Sequence, residues 1–369
     1  MFSKDIQDTQ KWKQFLEYKQ AKEYVNNSEK NELKKFIENY EYEDICKKLS
    51  KNEYTFSIPK KHLISKGNSR KKRIVYTFEI DEMIVLKYVS FLLYDYDFLF
   101  SKNLYSFRKN TSVKCAIKNM SNIRNIHNMY GYKVDISNYF NSIDTDILLN
   151  NLKNDIKDDL LYSLFFNILS NDKVLDTNKS VISEKKGVMA GTPISAFLAN
   201  YYIKEIDEYF WNEKLVYFRY ADDIIIFASD FEVLKRQVNV LKNFFVKFKL
   251  DINKDKEYFF MPHSDFEFLG FSFNGGKIDI SKNALRKIKG KIRRSARAIR
   301  RWQLKKNAKC EVSLKAMNRK FNKKFFGKEN KEELSWKYWF FPTITTTDSL
   351  KIIDKYMQDY LRYIVTRKT

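Results

Sequence analysis

The chain has 369 residues, 44% hydrophobic and 16% aromatic, enough to bury a large core and build two or three subdomains. With 9 Gly and 4 Pro it lacks the composition of a turn-rich all-β sandwich and of glycine-rich dinucleotide loops, so helices with a few strands are expected. The 69 Lys+Arg against 46 Asp+Glu leave a formal net charge of +23, which points to a polyanionic partner.

The N-terminal MFSKDIQDTQKWKQF is polar and charged, without the apolar stretch of a signal peptide. Residues 4 to 50 read as helices of mixed charge, with Trp12, Phe15, Leu16 and Tyr24 as expected buried positions. Tyr54 to Ile58 and Arg73 to Phe78 predict a hairpin, with a basic tip beside the polar turn Ser65 to Ser69. Residues 80 to 100 and 111 to 127 are expected to be helical. The most apolar window, 88 to 100, is broken by Asp95 and Asp97 and is shorter than the roughly 20 residues of a membrane span, so a soluble protein is expected.

Tyr132 to Ile136 predicts a buried strand ending on the carboxylate of Asp135. Helix is expected from Asp144 through Ile168, then a polar loop to Ser183. The small-residue turn Ala190-Gly191-Thr192-Pro193 then opens a helix to about Trp211. Leu215 to Phe218 and Ile224 to Ala228 predict a β-hairpin with Asp222 and Asp223 at its tip, followed by an amphipathic helix over 231 to 249. Phe266 to Phe273 and Lys277 to Ile280 suggest a further hairpin around Gly275-Gly276.

Lysine abundance follows the general Lys, Asn, Ile, Tyr and Phe richness of the chain, so the distribution of charge is more telling. Residues 281 to 325 hold 18 Lys+Arg and a single acid, Glu311. From Ala284 to Trp302 the apolar positions Leu285, Ile288, Ile292, Ala296, Ile299 and Trp302 recur at three and four, predicting one docking face on a basic helix. Cys46, Cys115 and Cys310 are far apart and odd in number, which offers neither a disulfide framework nor a CxxC zinc site and fits a reducing cytosol.

Three carboxylates end or cap apolar strands: Asp135, and the pair Asp222-Asp223. Buried carboxylates need compensation, and a hard divalent cation such as Mg²⁺ supplies it while bridging to substrate phosphates. An Asp-Asp at a hairpin tip is by itself only a turn. The surrounding blocks add to it: DISNYFNSID at 135 to 144, AGTPISAFLANYYIKEID at 190 to 207, FRYADDIIIFASD at 218 to 230, LDINKDK at 250 to 256 and FEFLGF at 266 to 271.

In this order the blocks resemble the palm motifs of reverse transcriptases over roughly residues 55 to 275. The resemblance implies an α+β right-hand polymerase, with an N-terminal helical extension (1 to 50), fingers and palm (51 to 280) and a basic helical thumb and C-terminal region (281 to 369). Asp135, Asp222 and Asp223 would hold two Mg²⁺ ions, with Mn²⁺ a substitute and the Ile136 carbonyl a further ligand. Lys256 matches the lysine that protonates pyrophosphate, and Phe140 matches the aromatic gate against a ribose 2′-hydroxyl. Gly191 and Ser195 match the turn lining nucleotide and templating base, and Arg73 and Arg108, in RKKRIVYTF and YSFRKNTS, resemble contacts to triphosphate and template. Arg293, Arg294, Arg297, Arg300 and Arg301 would face duplex phosphates. The cluster Trp336, Tyr338, Trp339, Phe340 and Phe341 reads as core, with base stacking the other reading.

Ala190 and Ala196 stand where many reverse transcriptases have Gln and Pro. With the tail from Trp336 onward, the block is similar to bacterial defence-associated and abortive-infection reverse transcriptases. That implies anti-phage activity in the cytoplasm, dNTPs as substrates, and a noncoding RNA as template or scaffold with DNA as product. Template-independent or protein-primed synthesis, a retron or group II intron enzyme, a homo-oligomer, and a catalytically silent RNA-binding scaffold stay open at this point.

Overall fold

The computed structural model describes residues 2–22, 26–65, 72–327 and 335–366. These fall into two units. The first holds residues 2–22, 27–112 and 132–259, and the second holds residues 26, 113–131, 260–327 and 335–366. The N-terminal helices share the first unit's core. Trp12, on the helix Thr9–Ala21, stacks on Tyr42 at 4.3 Å and on Tyr88 at 3.8 Å, and Tyr88 belongs to the helix Ile80–Leu92. Trp12 and Phe15 are buried as expected and Leu16 only partly, while Tyr24 lies outside the described residues.

Two sheets build the first unit. Strands β1 (Lys60–Ser65) and β2 (Lys72–Thr77) pair antiparallel, Lys60 opposite Thr77 and Ser65 opposite Lys72. The first strand thus lies C-terminal to the expected Tyr54–Ile58. Pro59 cannot donate to a ladder, and Tyr54 and Ser57 instead bond the Glu82 carboxylate, so the aromatic alternation there reflects burial of Phe56 on Phe78 and not pairing. Most of the expected basic tip lies outside the described residues.

Strand β3 (Tyr130–Asp135) lies in the second sheet. Short strands β4 (Lys173–Leu175) and β5 (Val181–Ser183) join β1 through a parallel pairing of Lys60 with Leu175, in what reads as a loop because three residues carry no usable periodicity. Strands β6 (Val216–Tyr220), β7 (Asp223–Ala228) and β8 (Tyr258–Phe260) complete the second sheet, in the order β6-β7-β3-β8. The central pair, β7 and β3, carries the apolar runs read from sequence: Ile224, Ile225, Ile226, Tyr132 and Val134 are fully buried.

Helices cover this core. The stretch from Asp144 divides into Thr145–Asp155 and Asp159–Ser170, the second capped by Asp158, whose carboxylate accepts from the Leu161 N–H at 3.2 Å. The stretch after Pro193 divides into Ser195–Tyr202 and Lys204–Asn212.

In the second unit, β9 (Phe266–Phe268), β10 (Phe271–Asn274) and β11 (Lys277–Ile280) form an antiparallel meander. The helices Lys282–Lys306, Cys310–Phe326 and Asp348–Thr366 pack on one another. Ser281 caps the first, its hydroxyl accepting from the Ala284 N–H at 3.2 Å, and Asn307 ends it in the left-handed conformation. Among the described residues no helix is long and apolar enough to cross a membrane.

Candidate active site

The site is built on the β6–β7 turn. Tyr220 pairs with Asp223, so only Ala221 and Asp222 make the connection, and Ala221 has φ +56°, a conformation that favours glycine at this place in a tight hairpin. The neighbours hold it there. The Ala221 N–H donates to Ser106 Oγ at 2.9 Å and its carbonyl accepts from Arg219 Nη1 at 3.3 Å.

Arg219 is fully buried and forked on Asp207, with Nε donating to Oδ1 at 2.7 Å and Nη2 to Oδ2, and Nη2 also reaches the Asn200 carbonyl. The Tyr217 hydroxyl donates to the same Asp207 carboxylate. Burial opposes the charge on Arg219, but the Asp207 carboxylate outweighs it and the guanidinium stays charged. Ser106 and Asn200 exchange bonds of 2.9 and 2.7 Å, so the segment before Phe107, the helix Ser195–Tyr202 and the Asp222 turn form one buried polar network.

Asp135 stands at the end of β3, next to that turn in the sheet. The Ile136 N–H donates to the Asp222 carbonyl at 3.2 Å. On the other side Asn253 N–H bonds the Asp135 carbonyl and Ser137 N–H bonds the Asp251 carbonyl, leaving Ile136 opposite Ile252 in a non-hydrogen-bonded pair. The N–H and C=O of one extended residue share a side, so the Ile136 carbonyl is directed toward the strand that carries Asp222 and Asp223.

The electrostatics are those of a crowded acidic tip. Burial, then the fields of Asp135 and Asp223, push the Asp222 carboxyl up to about 6. Asp223 is also raised, by burial above all and by Asp135, against the pull of Lys133, whose Nζ is 3.7 Å away. Asp135 accepts from Lys256 Nζ at 2.7 Å and from Asn253 Nδ2 at 3.2 Å. Burial disfavours the Lys256 charge, but the bond to Asp135 and the fields of Asp223 and Asp222 prevail and hold it above the ordinary lysine range.

The donor set is oxygen throughout and carries surplus negative charge, which suits a hard divalent cation. Among the described residues these side chains do not form a ready-made cage of three acids. Lys256 occupies Asp135 in this arrangement, so a cation would have to take its place.

Phe140 lies on the one-turn helix Tyr139–Ser142, half-buried, with its ring edge-on to Phe107 at 6.2 Å. Its carbonyl accepts from the Val188 N–H at 2.9 Å. Gly187 allows this approach: it has φ +54°, and a Cβ there would stand 2.3 Å from the Phe140 carbonyl oxygen.

The other expected site residues are placed as follows. Gly191, at φ +106°, lies flush against β2, where a Cβ would meet Tyr76 O and Val75 Cβ at 3.0 Å, and the Tyr76 N–H donates to the Ala190 carbonyl at 2.8 Å. Its missing side chain thus serves a backbone-to-backbone approach. Ser195 is buried and its hydroxyl donates to the Thr192 carbonyl at 2.7 Å, at the start of its helix.

Arg108 is likewise engaged within the fold, forked on Asp97 at 2.7 and 2.8 Å and donating to the carbonyls of Ser101 and Leu104. Arg73 is exposed on β2 opposite Ile64. In the second unit Arg293, Arg294, Arg297 and Arg301 are exposed, but Arg300 is buried, donating to Gln303 Oε1 at 2.8 Å and to the Ile364 carbonyl at 2.9 Å, so it docks the helix and does not face phosphate. Trp302, expected on the apolar face, is exposed, and Gln303 takes the buried position. In the aromatic cluster Trp336 and Phe340 are core, while Tyr338 is exposed.

The residues missed from sequence are those that support the turn: Ser106, Phe107, Asn200, Asp207 and Arg219. One signal was available, a single arginine inside an otherwise apolar and aromatic strand, which must find a buried acid.

A model of the family "Reverse transcriptase (RNA-dependent DNA polymerase)" matches residues 58–273, more than half of the chain. Among solved structures the chain is similar to apo telomerase from Candida tropicalis, at 10% identity and TM-score 0.48 over 84% of this chain and 64% of that one. A form truncated from the C-terminal domain matches at 14% and 0.47, over 61% and 55%. Telomerase from Candida albicans, in complex with a TWJ fragment of telomeric RNA, matches at 12% and 0.47, over 89% and 65%. The chain thus spans less than two thirds of the length of these structures. No curated protein matches it at a significant level. The family match runs through the segments that build the aspartate turn and its buried support, and the chain belongs to the reverse transcriptase family, with the expected mixture of helices and sheets.

Proposed function

We propose that the protein makes DNA from dNTPs by Mg²⁺-dependent nucleotidyl transfer in bacterial anti-phage defence, with an associated noncoding RNA as template or scaffold. The observation that carries the chemistry is the backbone bond from Ile136 to the Asp222 carbonyl, which sets the end of β3 beside the Asp222–Asp223 turn. Asp135, Asp222, Asp223 and the Ile136 carbonyl would hold two Mg²⁺ ions, or Mn²⁺ in their place; when bound, such ions activate the attacking hydroxyl and neutralise phosphate charge.

The rest falls to the chain's own residues. Phe140 bounds the sugar, and Lys256, once released from Asp135, carries a proton near the departing pyrophosphate. The exposed Arg293, Arg294, Arg297 and Arg301 supply a basic helix face to which duplex phosphates bind without regard to sequence. The defence role, a cytoplasmic location and assembly with RNA rest on the AGTPISAFLANYYIKEID block and the C-terminal tail.

Template-independent synthesis is favoured by one feature: Ala190 has no side chain to reach a template, and both its backbone groups are already bonded, to Asn141 and Tyr76. Extension of a labelled primer with and without an annealed RNA template separates the two readings, and sequencing nucleic acid that copurifies with the full chain identifies the template. Template-directed products and a defined RNA are expected. Products unrelated to any supplied or bound RNA would replace the templated reading with the untemplated one.

A further inference from the structure

Phe107 is held in an unusual way. It has φ +55°, which a bulky aromatic residue adopts at a cost, and the residue is 46% exposed. Both flanks are fixed. Ser106 is fully buried and bonds Asn200 and Ala221, and Arg108 forks on Asp97. The backbone therefore has no freedom to relax the strain, and the strain projects a large apolar ring out of the loop.

That ring meets two others. It stands edge-on to Phe140 at 6.2 Å, with planes at 83°, and 6.1 Å from Tyr220, the residue before the Ala221–Asp222 turn. Phe107 also lines a small cavity of about 140 Å³ together with Phe100, Ala196 and Phe197.

We propose that Phe107 is a positioning residue for sugar selection, a fixed buttress that keeps the Phe140 ring from yielding to a ribose 2′-hydroxyl. The inference rests on the proposed role of Phe140. A gate discriminates only if it does not move, and Phe140 is itself half-buried on a one-turn helix. The edge-to-face contact supplies the resistance, because displacing Phe140 toward Phe107 would drive it against a ring whose own backbone is pinned to the Asp222 turn and to Asp97.

The test is a double-mutant cycle read as the ratio of kcat/KM for dNTP over rNTP on one primer-template. Phe107→Ala is expected to lower the ratio by about two- to ten-fold, the range an edge-to-face ring pair supports, with the change in the KM for rNTP. Phe107→Tyr should restore it. In a Phe140→Ala background, Phe107→Ala should change nothing further. Phe107→Leu, which keeps bulk without an aromatic edge, serves if the alanine variant loses thermal stability, and it too should lower the ratio.

A wild-type ratio in Phe107→Ala, while Phe140→Ala alone lowers it, would overturn the buttress and leave the gate standing. Effects of the two substitutions that simply add would also overturn it, because Phe107 would then act apart from Phe140. An unchanged ratio in Phe140→Ala would overturn the gate itself and the inference with it.

Discussion

Arg219 and Asp207 are both fully buried, and neither can be removed alone without leaving the other as an unpaired charge. Arg219→Met is therefore expected to destabilise the protein by about 3–5 kcal/mol, well above a typical surface change. It should also abolish polymerisation, since the Ala221 carbonyl loses its donor. Denaturant unfolding measures the first effect, and a loss under 1 kcal/mol would contradict the network.

Lys186 supplies a pH-dependent counterpart. It is buried, donates to the Lys173 carbonyl at 3.2 Å, and burial lowers its pKa from 10.5 to about 8 despite Asp172 and Glu184. The folded state thus holds this proton less tightly than the unfolded state. The charged form costs stability below pH 8, and the cost fades as pH rises from 8 toward 10.5. Lys186→Met should stabilise the protein at pH 7 by on the order of 1–3 kcal/mol, and the advantage over wild type should vanish near pH 10.5. An advantage constant with pH would assign the effect to packing alone.

At the scale of elements, the basic helix Lys282–Lys306 separates arginines that face solvent from one that does not. Replacing Arg293, Arg294, Arg297 and Arg301 by Gln should flatten the plot of log affinity against log salt, by as much as about 0.9 per lost contact on B-form DNA, with little change in Tm. Arg300→Gln should do the reverse, lowering Tm through the lost bond to Ile364 and leaving the slope unchanged. Identical slopes for wild type and the quadruple variant would place the nucleic-acid track elsewhere.

Helical spacing already puts Arg300 on the buried face, four residues after Ala296 in the series Ile288, Ile292, Ala296, but its charge makes it read as a phosphate contact, and its partners Gln303 and the Ile364 carbonyl, the latter more than sixty residues on, are seen only in the structure. The β6–β7 hairpin was legible because two apolar runs lie close together in sequence, but those runs alone leave Arg219 to Asp223 as the connection, whereas Arg219, Tyr220 and Asp223 pair within the strands and only Ala221 and Asp222 turn. Between these cases lie β4 and β5, whose pairing to β1 depends on a partner more than a hundred residues away and leaves no local trace. Phe107 was visible only as a letter in YSFRKNTS, since its exposure and its left-handed backbone are set by neighbours distant in the chain.

At the largest scale, segments distant in sequence meet within the first unit: β3, the β6–β7 turn, the loop through Ser106 and the helix through Asp207 set Asp135 beside Asp222 and Asp223. Burial and the field of Asp135 raise both Asp222 and Asp223, so their charge is kept for chemistry at the expense of stability. The most direct measurement pairs Tm in metal-free buffer with primer extension in Mg²⁺ for wild type and for Asp222→Asn with Asp223→Asn. The double variant should fold with a Tm at or above that of wild type, and its DNA synthesis should fall by about a hundred-fold or more. DNA synthesis at the wild-type rate by a folded double variant would contradict the claim that this turn is the polymerase centre.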